Sequence, residues 1–103
     1  MTEAQAMFEY LADQVTKNTG VARGKMMSAP AIKTKGKVFA FFHNETMTFK
    51  LGKDFDPDAY GLKNWSYLSP FKNKPPMKAW IAVPFAQQEV WETLCSLALE
   101  KME

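Results

Sequence analysis

His43 and Cys95 are the only histidine and the only cysteine of this 103-residue chain, so most of the nucleophilic, redox or metal chemistry it could do falls on them. Neither has the company such chemistry needs. No cysteine, paired aspartate or second histidine stands near His43 to complete a metal site or a triad, and it falls in a turn pattern, so it is expected to be a solvated turn residue. Cys95 stands beside Leu94 on the apolar side of the last helical pattern, without the cation or helix N-terminus that would activate a thiol. It is expected to be a small buried hydrophobe. Asp54, Asp56 and Asp58 alternate as the first ligands of a calcium loop do. Pro57 intervenes, the sixth position lacks glycine, and Glu89 is too distant for the twelfth-position ligand. Gly36-Lys37 and Gly52-Lys53 lack the spaced glycine and the following Ser or Thr of a phosphate loop. The residues therefore predict no catalytic centre, no metal and no cofactor, and the expectation is a non-enzymatic domain.

Charge distribution carries more than net charge, which is only +2. No acidic residue lies between Asp13 and Glu45, where Lys17, Arg23, Lys25, Lys33, Lys35 and Lys37 accumulate. Between Asp58 and Glu89 the same holds for Lys63, Lys72, Lys74 and Lys78. Acids gather at the two ends: Glu3, Glu9 and Asp13, then Glu89, Glu92, Glu100 and Glu103. Arg23, Lys25, Lys33, Lys35 and Lys37 are thus the candidate contacts for an anion or a nucleic acid, because a local basic patch raises the concentration of a polyanion near it.

The elements that must hold these residues can be read from hydrophobic period. Ala4, Met7, Phe8, Leu11 and Val15 recur at three-and-four spacing and predict a helix over 3–18, with Thr2 and Gln5 as a capping box and Asn18-Thr19-Gly20 as its stop. Strands are predicted over 21–27, 31–33, 37–42, 46–51 and 77–83, with turns at Thr34-Lys35-Gly36 and His43-Asn44-Glu45. Asp56-Pro57 predicts a brief helix to about Leu62, and a polar passage through Trp65, Tyr67 and Phe71 follows. Val90, Trp91, Leu94, Ala98 and Met102 mark a second amphipathic helix over 87–101. The expected architecture is α+β: a single two-layer domain over 1–103, an antiparallel sheet with the N- and C-terminal helices packed on one face.

Such a sheet leaves its other face open, yet two strands look apolar on both sides. In 37–42, strict alternation sends Val38, Ala40 and Phe42 one way and Phe39 and Phe41 the other, while Trp80 and Ala82 alternate against Ile81 and Val83. Phe39, Phe41 and Trp80 are therefore expected to form a patch that a protein partner or a second copy covers. The N-terminus has no basic region ahead of an apolar run, no apolar stretch approaches a membrane span, and a lone cysteine allows no internal disulfide. A cytoplasmic chain that does not engage a membrane is expected.

Arg23-x-x-Met26-Met27, Gly36-Lys37-x-Phe39-Ala40, Phe49-Lys50, Phe71 and Met77-x-x-Trp80-x-x-Val83-Pro84 occur in an order that resembles the TfoX N-terminal domain family. The related MmcQ/YjbR-like group shares the Gly-Lys-x-Phe-Ala, Phe-Lys and Trp-x-x-Val strands. The resemblance implies a two-layer α+β fold and a regulatory or protein-interaction role, as in competence regulators. Direct binding of nucleic acid through the basic residues is the alternative.

Overall fold

The structure, a computed structural model, describes residues 2–26, 29–68 and 77–102. Met27, Phe71, Lys72, Lys74 and Glu103 of the patterns above lie outside the described residues. The first helix, α1 (Glu3–Val15), opens on the expected capping box: the Gln5 amide donates to the Thr2 hydroxyl at 3.1 Å and the Thr2 amide to the Gln5 side chain at 3.2 Å. It ends three residues before the expected position 18. The Thr16 hydroxyl donates to the Ala12 carbonyl at 2.7 Å and the Asn18 amide side chain to the Val15 carbonyl at 2.9 Å. The Ala12 carbonyl thus holds both the Thr16 amide and its hydroxyl, while the Val15 carbonyl is satisfied by the backbone and side-chain amides of Asn18 in place of the amide that a further turn would have supplied.

Six strands follow: β1 (Val21–Met26), β2 (Ala29–Thr34), β3 (Lys37–His43), β4 (Thr46–Lys50), β5 (Ser66–Leu68) and β6 (Met77–Pro84). They form one antiparallel sheet of order β1-β2-β3-β4-β6-β5. The hairpin of 37–42 with 46–51 is present, with Ala40 opposite Phe49 and Phe42 opposite Met47. Both hairpin turns around β3 place two residues at positive φ, Lys35 (55°) with Gly36 (77°) and Asn44 (50°) with Glu45 (61°). That backbone matches the right-handed twist of the flanking strands. β2 is longer than expected and contains Pro30, which lies opposite Lys25 before the pairing with β3 begins at Ala31. A proline without an amide donor is tolerated there. β5 falls in the passage expected to be irregular, and pairs along β6 with Ser66 opposite Ala82.

A 3-10 turn (Pro57–Tyr60) stands where the brief helix was expected, capped by the Asp56 carboxylate on the Asp58 amide at 3.1 Å. The C-terminal helix, α2 (Trp91–Met102), begins later than residue 87. A 3-10 segment (Phe85–Val90) leads into it, and Gln87 departs from helical geometry at φ −117°, ψ 33°. The Gln87 side-chain carbonyl instead accepts from the Lys63 amide at 2.6 Å.

Both helices pack on one face of the sheet. Ala4, Phe8, Leu11 and Val15 of α1 and Trp91, Leu94, Cys95 and Ala98 of α2 share a core with Ile32, Phe42, Met47, Phe49, Ile81 and Val83. Trp91 is fully buried at its centre, edge-on to Phe42 and Phe85, and its indole N–H donates to the Val83 carbonyl at 3.1 Å.

Phe39 corrects the alternation predicted for β3. Ile32 faces Ala40 and Lys33 faces Val38, so Phe39 is an extra residue in β3, a β-bulge. The bulge sends Phe39 and Ala40 both into the helix-side core, while Val38 joins Phe41 on the other face. That opposite face holds a second, smaller cluster: the Phe41 ring lies 5.7 Å from that of Trp80, tilted at 54°, with Ala29 and Ala31 buried beside them.

Two stability predictions follow from these clusters. Trp91→Ala is expected to cost about 3–5 kcal/mol in urea unfolding, and Trp91→Phe clearly less, because it keeps most apolar contacts and loses chiefly the bond to Val83. Phe41→Glu is expected to leave the chain unfolded at 25 °C, since it removes the ring packed against Trp80 and places a carboxylate where only 4% of the residue is exposed. A folded Phe41→Glu protein with near-native circular dichroism would mean that the second cluster opens readily.

Candidate functional site

The five basic residues grouped by sequence do not stay together. Arg23 lies opposite Ile32, on the helix side of edge strand β1, and reaches over α1. One guanidinium nitrogen holds the Glu9 carboxylate at 2.8 and 3.1 Å, and the other holds Asp13 at 2.9 Å. The hydrogen bond to Glu9, then that to Asp13, raises the Arg23 pKa further above its ordinary value. Glu9 and Asp13 are one helical turn apart, so a single planar fork grips both and ties α1 to the edge strand. Arg23 is thereby committed to the fold. Lys25 is also separated: it stands opposite Pro30, near the far end of β1 and about 13 Å along the strand from Val21.

Lys33, Lys35 and Lys37 do share one sheet end, with Lys33 on the far face beside Val38 and Lys37 on the helix side beside Thr34, and the register brings other lysines to that end. Val21 pairs with Thr34, and Thr34 with Lys37, so the β2–β3 turn sits beside the turn that carries Lys17 into β1. A side chain on Gly20 would have the Thr34 hydroxyl as its nearest neighbour, at 3.9 Å. β4 runs antiparallel to β3 and leaves the sheet at this same end through Lys50 and Lys53. The result is a basic rim of Lys17, Lys33, Lys35, Lys37, Lys50 and Lys53 along one end of strands β1 to β4, a width of about 14 Å. Lys17, Lys35, Lys37 and Lys53 are exposed, while Lys33 and Lys50 are half-buried. The Lys33 stem lies across Gly24, where an added Cβ would meet it at 3.0 Å. Among the described residues the ion pairs are those of Arg23, and none involves the rim. Asp54, next to Lys53, is the acid that follows it in the chain.

Lys17 belongs to the basic run of the sequence but not to its candidate contacts, and Lys50 and Lys53 to neither; the shared ends of β1, β2, β3 and β4, not linear proximity, unite them with the β2–β3 turn. Arg23 carried a readable signal: it alternates with buried Val21, which places both on the helix side of the sheet.

Helix surfaces carry the opposite charge. Glu3, Glu9 and Asp13 lie on α1, and Glu92 and Glu100 on α2. A hollow of about 320 Å³ between the helices is lined by Leu11, Val15, Cys95 and Leu99, with Glu92 and Glu100 beside them. Burial, then the Glu92 carboxylate, pushes the Cys95 thiol up to about 12, so it stays protonated and inert at neutral pH. His43 ends β3 and is exposed, with the turn proper formed by Asn44 and Glu45. Among the described residues no three His, Cys, Asp or Glu side chains gather as metal ligands, and Asp56 serves as a cap. No described helix is long and apolar enough to cross a membrane.

The apolar patch expected of Phe39, Phe41 and Trp80 is corrected in the same way. Phe39 is fully buried under the helices, and Phe41 and Trp80 are 4% and 7% exposed within the single chain. Little of them is left for a partner or second copy to cover.

No protein-family model, curated protein or solved structure matches the chain, so the resemblance to TfoX N-terminal domains rests on its ordered motifs.

Proposed function

We propose that this is a non-catalytic domain that binds nucleic acid through the lysine rim at the β2–β3 end of its sheet. The observation that carries the reading is the convergence of Lys17, Lys33, Lys35, Lys37, Lys50 and Lys53 from separate stretches of chain, with no described acid paired to any of them. Lysines gathered at a sheet end without ion-pair partners suit phosphate binding: each contact releases a condensed counterion, which drives association. The acidic helices lie on α1 and α2, so approach by the rim keeps a polyanion away from like charge. A regulatory role of the kind the TfoX resemblance implies would follow from such binding.

The conformation of Lys35 adds support. Its φ of 55° is the left-handed region, which asparagine or glycine occupies at lower cost. A lysine in this turn costs stability and puts an exposed charge at the β2–β3 end of the sheet.

Two measurements test the reading. Replacing Lys33, Lys35 and Lys37 together by Ala is expected to weaken binding to a generic duplex strongly at low salt and to flatten the plot of log affinity against log salt by about 2–3, one unit per lost phosphate contact. Lys35→Asn is expected to raise stability by roughly 0.5–1 kcal/mol while reducing the salt slope by about 1. Absence of duplex binding by the unaltered chain at about 50 mM salt, or an unchanged slope in the triple variant, would remove the proposal.

A further inference from the structure

Resting on that reading, we infer that the rim takes the sugar-phosphate backbone of a duplex without reading its sequence, and does not serve as a single-strand site. Which nucleic acid a basic surface prefers depends on what stands among its charges. Single strands are held by exposed aromatic rings on which bases stack, with cations tracking the backbone. Sequence in a duplex is read largely by arginine, whose planar fork matches a guanine edge, or by asparagine and glutamine on adenine. Lysine, a point charge on a flexible stem, does neither well; it answers to charge density.

Among the described residues the cations of the rim are all lysines, and Asn18, beside Lys17, spends its side-chain amide on the Val15 carbonyl. The chain's only arginine, Arg23, is occupied by Glu9 and Asp13 on the helix side. Aromatic rings are abundant, yet among the described residues they are withdrawn from the rim. Phe39 is under the helices, and Phe41 and Trp80 pack against each other, tilted, out of solvent. Trp65 and Tyr67 meet edge-to-face at 5.0 Å and pack against the helix-side core. Among the described residues the large exposed hydrophobics are Tyr10 and Tyr60. Tyr10 sits on α1 between Glu9 and Asp13, and Tyr60 stacks on Phe55 and lines a hollow with Glu89 and Glu92. Both stand in acidic surroundings that repel a nucleic-acid backbone.

Charge density then decides. A duplex presents one negative charge per ~1.7 Å of axis, a single strand about one per 3.4 Å or fewer, so a lysine edge about 14 Å wide meets roughly twice as many phosphates on a duplex. Without stacking to compensate, the duplex is the better ligand.

Fluorescence anisotropy of the full chain at about 50 mM salt tests this, using a GC-rich and an AT-rich 20-base-pair DNA duplex and a 20-nucleotide oligothymidine strand. The expected result is affinity for the two duplexes equal within about threefold, and for the single strand roughly tenfold or more weaker. Equal or tighter binding of oligothymidine would overturn the duplex preference while leaving the nucleic-acid reading intact. A strong preference for one duplex would overturn sequence-independent binding. Failure to bind any of the three would overturn the nucleic-acid reading itself, and this inference with it.

Discussion

The extra residue at Phe39 governs how this small domain divides its apolar side chains between two faces. A two-layer fold has helices enough to cover one face of its sheet, and β3 carries Val38, Phe39, Ala40, Phe41 and Phe42 in succession. Perfect alternation would leave two phenylalanines opposite the helices. With the bulge, Phe39 and Ala40 both turn toward α1 and α2, and the far face retains Val38 and Phe41. What remains there is small enough to close on itself, with Phe41 against Trp80 across β4 and two alanines alongside. The bulge thus converts a sheet that would need a partner into one that largely buries its own apolar groups.

The same economy runs through the charges. Arg23 is placed by alternation on the helix side, beside the Glu9 and Asp13 turn of α1, where a bidentate fork has geometry that a lysine could not match. The ion pairs are surface-exposed, with Arg23 42% accessible, so their contribution to stability is modest. Their larger consequence is electrostatic: two helix acids are neutralised locally by a residue that would otherwise add to the basic cluster. Lysines, which form no such fixed pairs, are left at the sheet end.

Much of the architecture was legible because it is written in local chemistry. Thr2 with Gln5 specifies the start of α1, Lys35-Gly36 and Asn44-Glu45 specify turns, and Met47, Phe49 and Leu51 alternate cleanly into one core. The bulge was not legible, since nothing in Lys37-Val38-Phe39-Ala40 distinguishes a bulged strand from a regular one; it is a property of pairing with β2. β5 escaped for a related reason: Ser66-Tyr67-Leu68 is too short to show a period and becomes a strand only because β6 offers an edge. The late start of α2 reflects competition, because Gln87 gives its side chain to the Lys63 amide in a segment whose apolar period alone reads as helix.

For the candidate site the limits were those of dimension rather than of residue type. Linear clustering groups Lys33, Lys35 and Lys37, which flank one turn, but it joins Arg23 and Lys25 to them, leaves Lys17 out of the candidate contacts and misses Lys50 and Lys53, because a sheet end gathers residues whose strands terminate together, whatever their separation in sequence. In an antiparallel sheet each strand contributes to a given end only through its first or last residues, so a rim is composed of every other connection. Here the α1–β1 connection, the β2–β3 turn and the exit of β4 share the end, while the β3–β4 turn with Glu45 is at the opposite one. Register therefore gathers six lysines at one sheet end and leaves Lys25 and Glu45 at the other, as the bulge sorts phenylalanine across the sheet, so the placement of charge follows from backbone pairing as much as from composition.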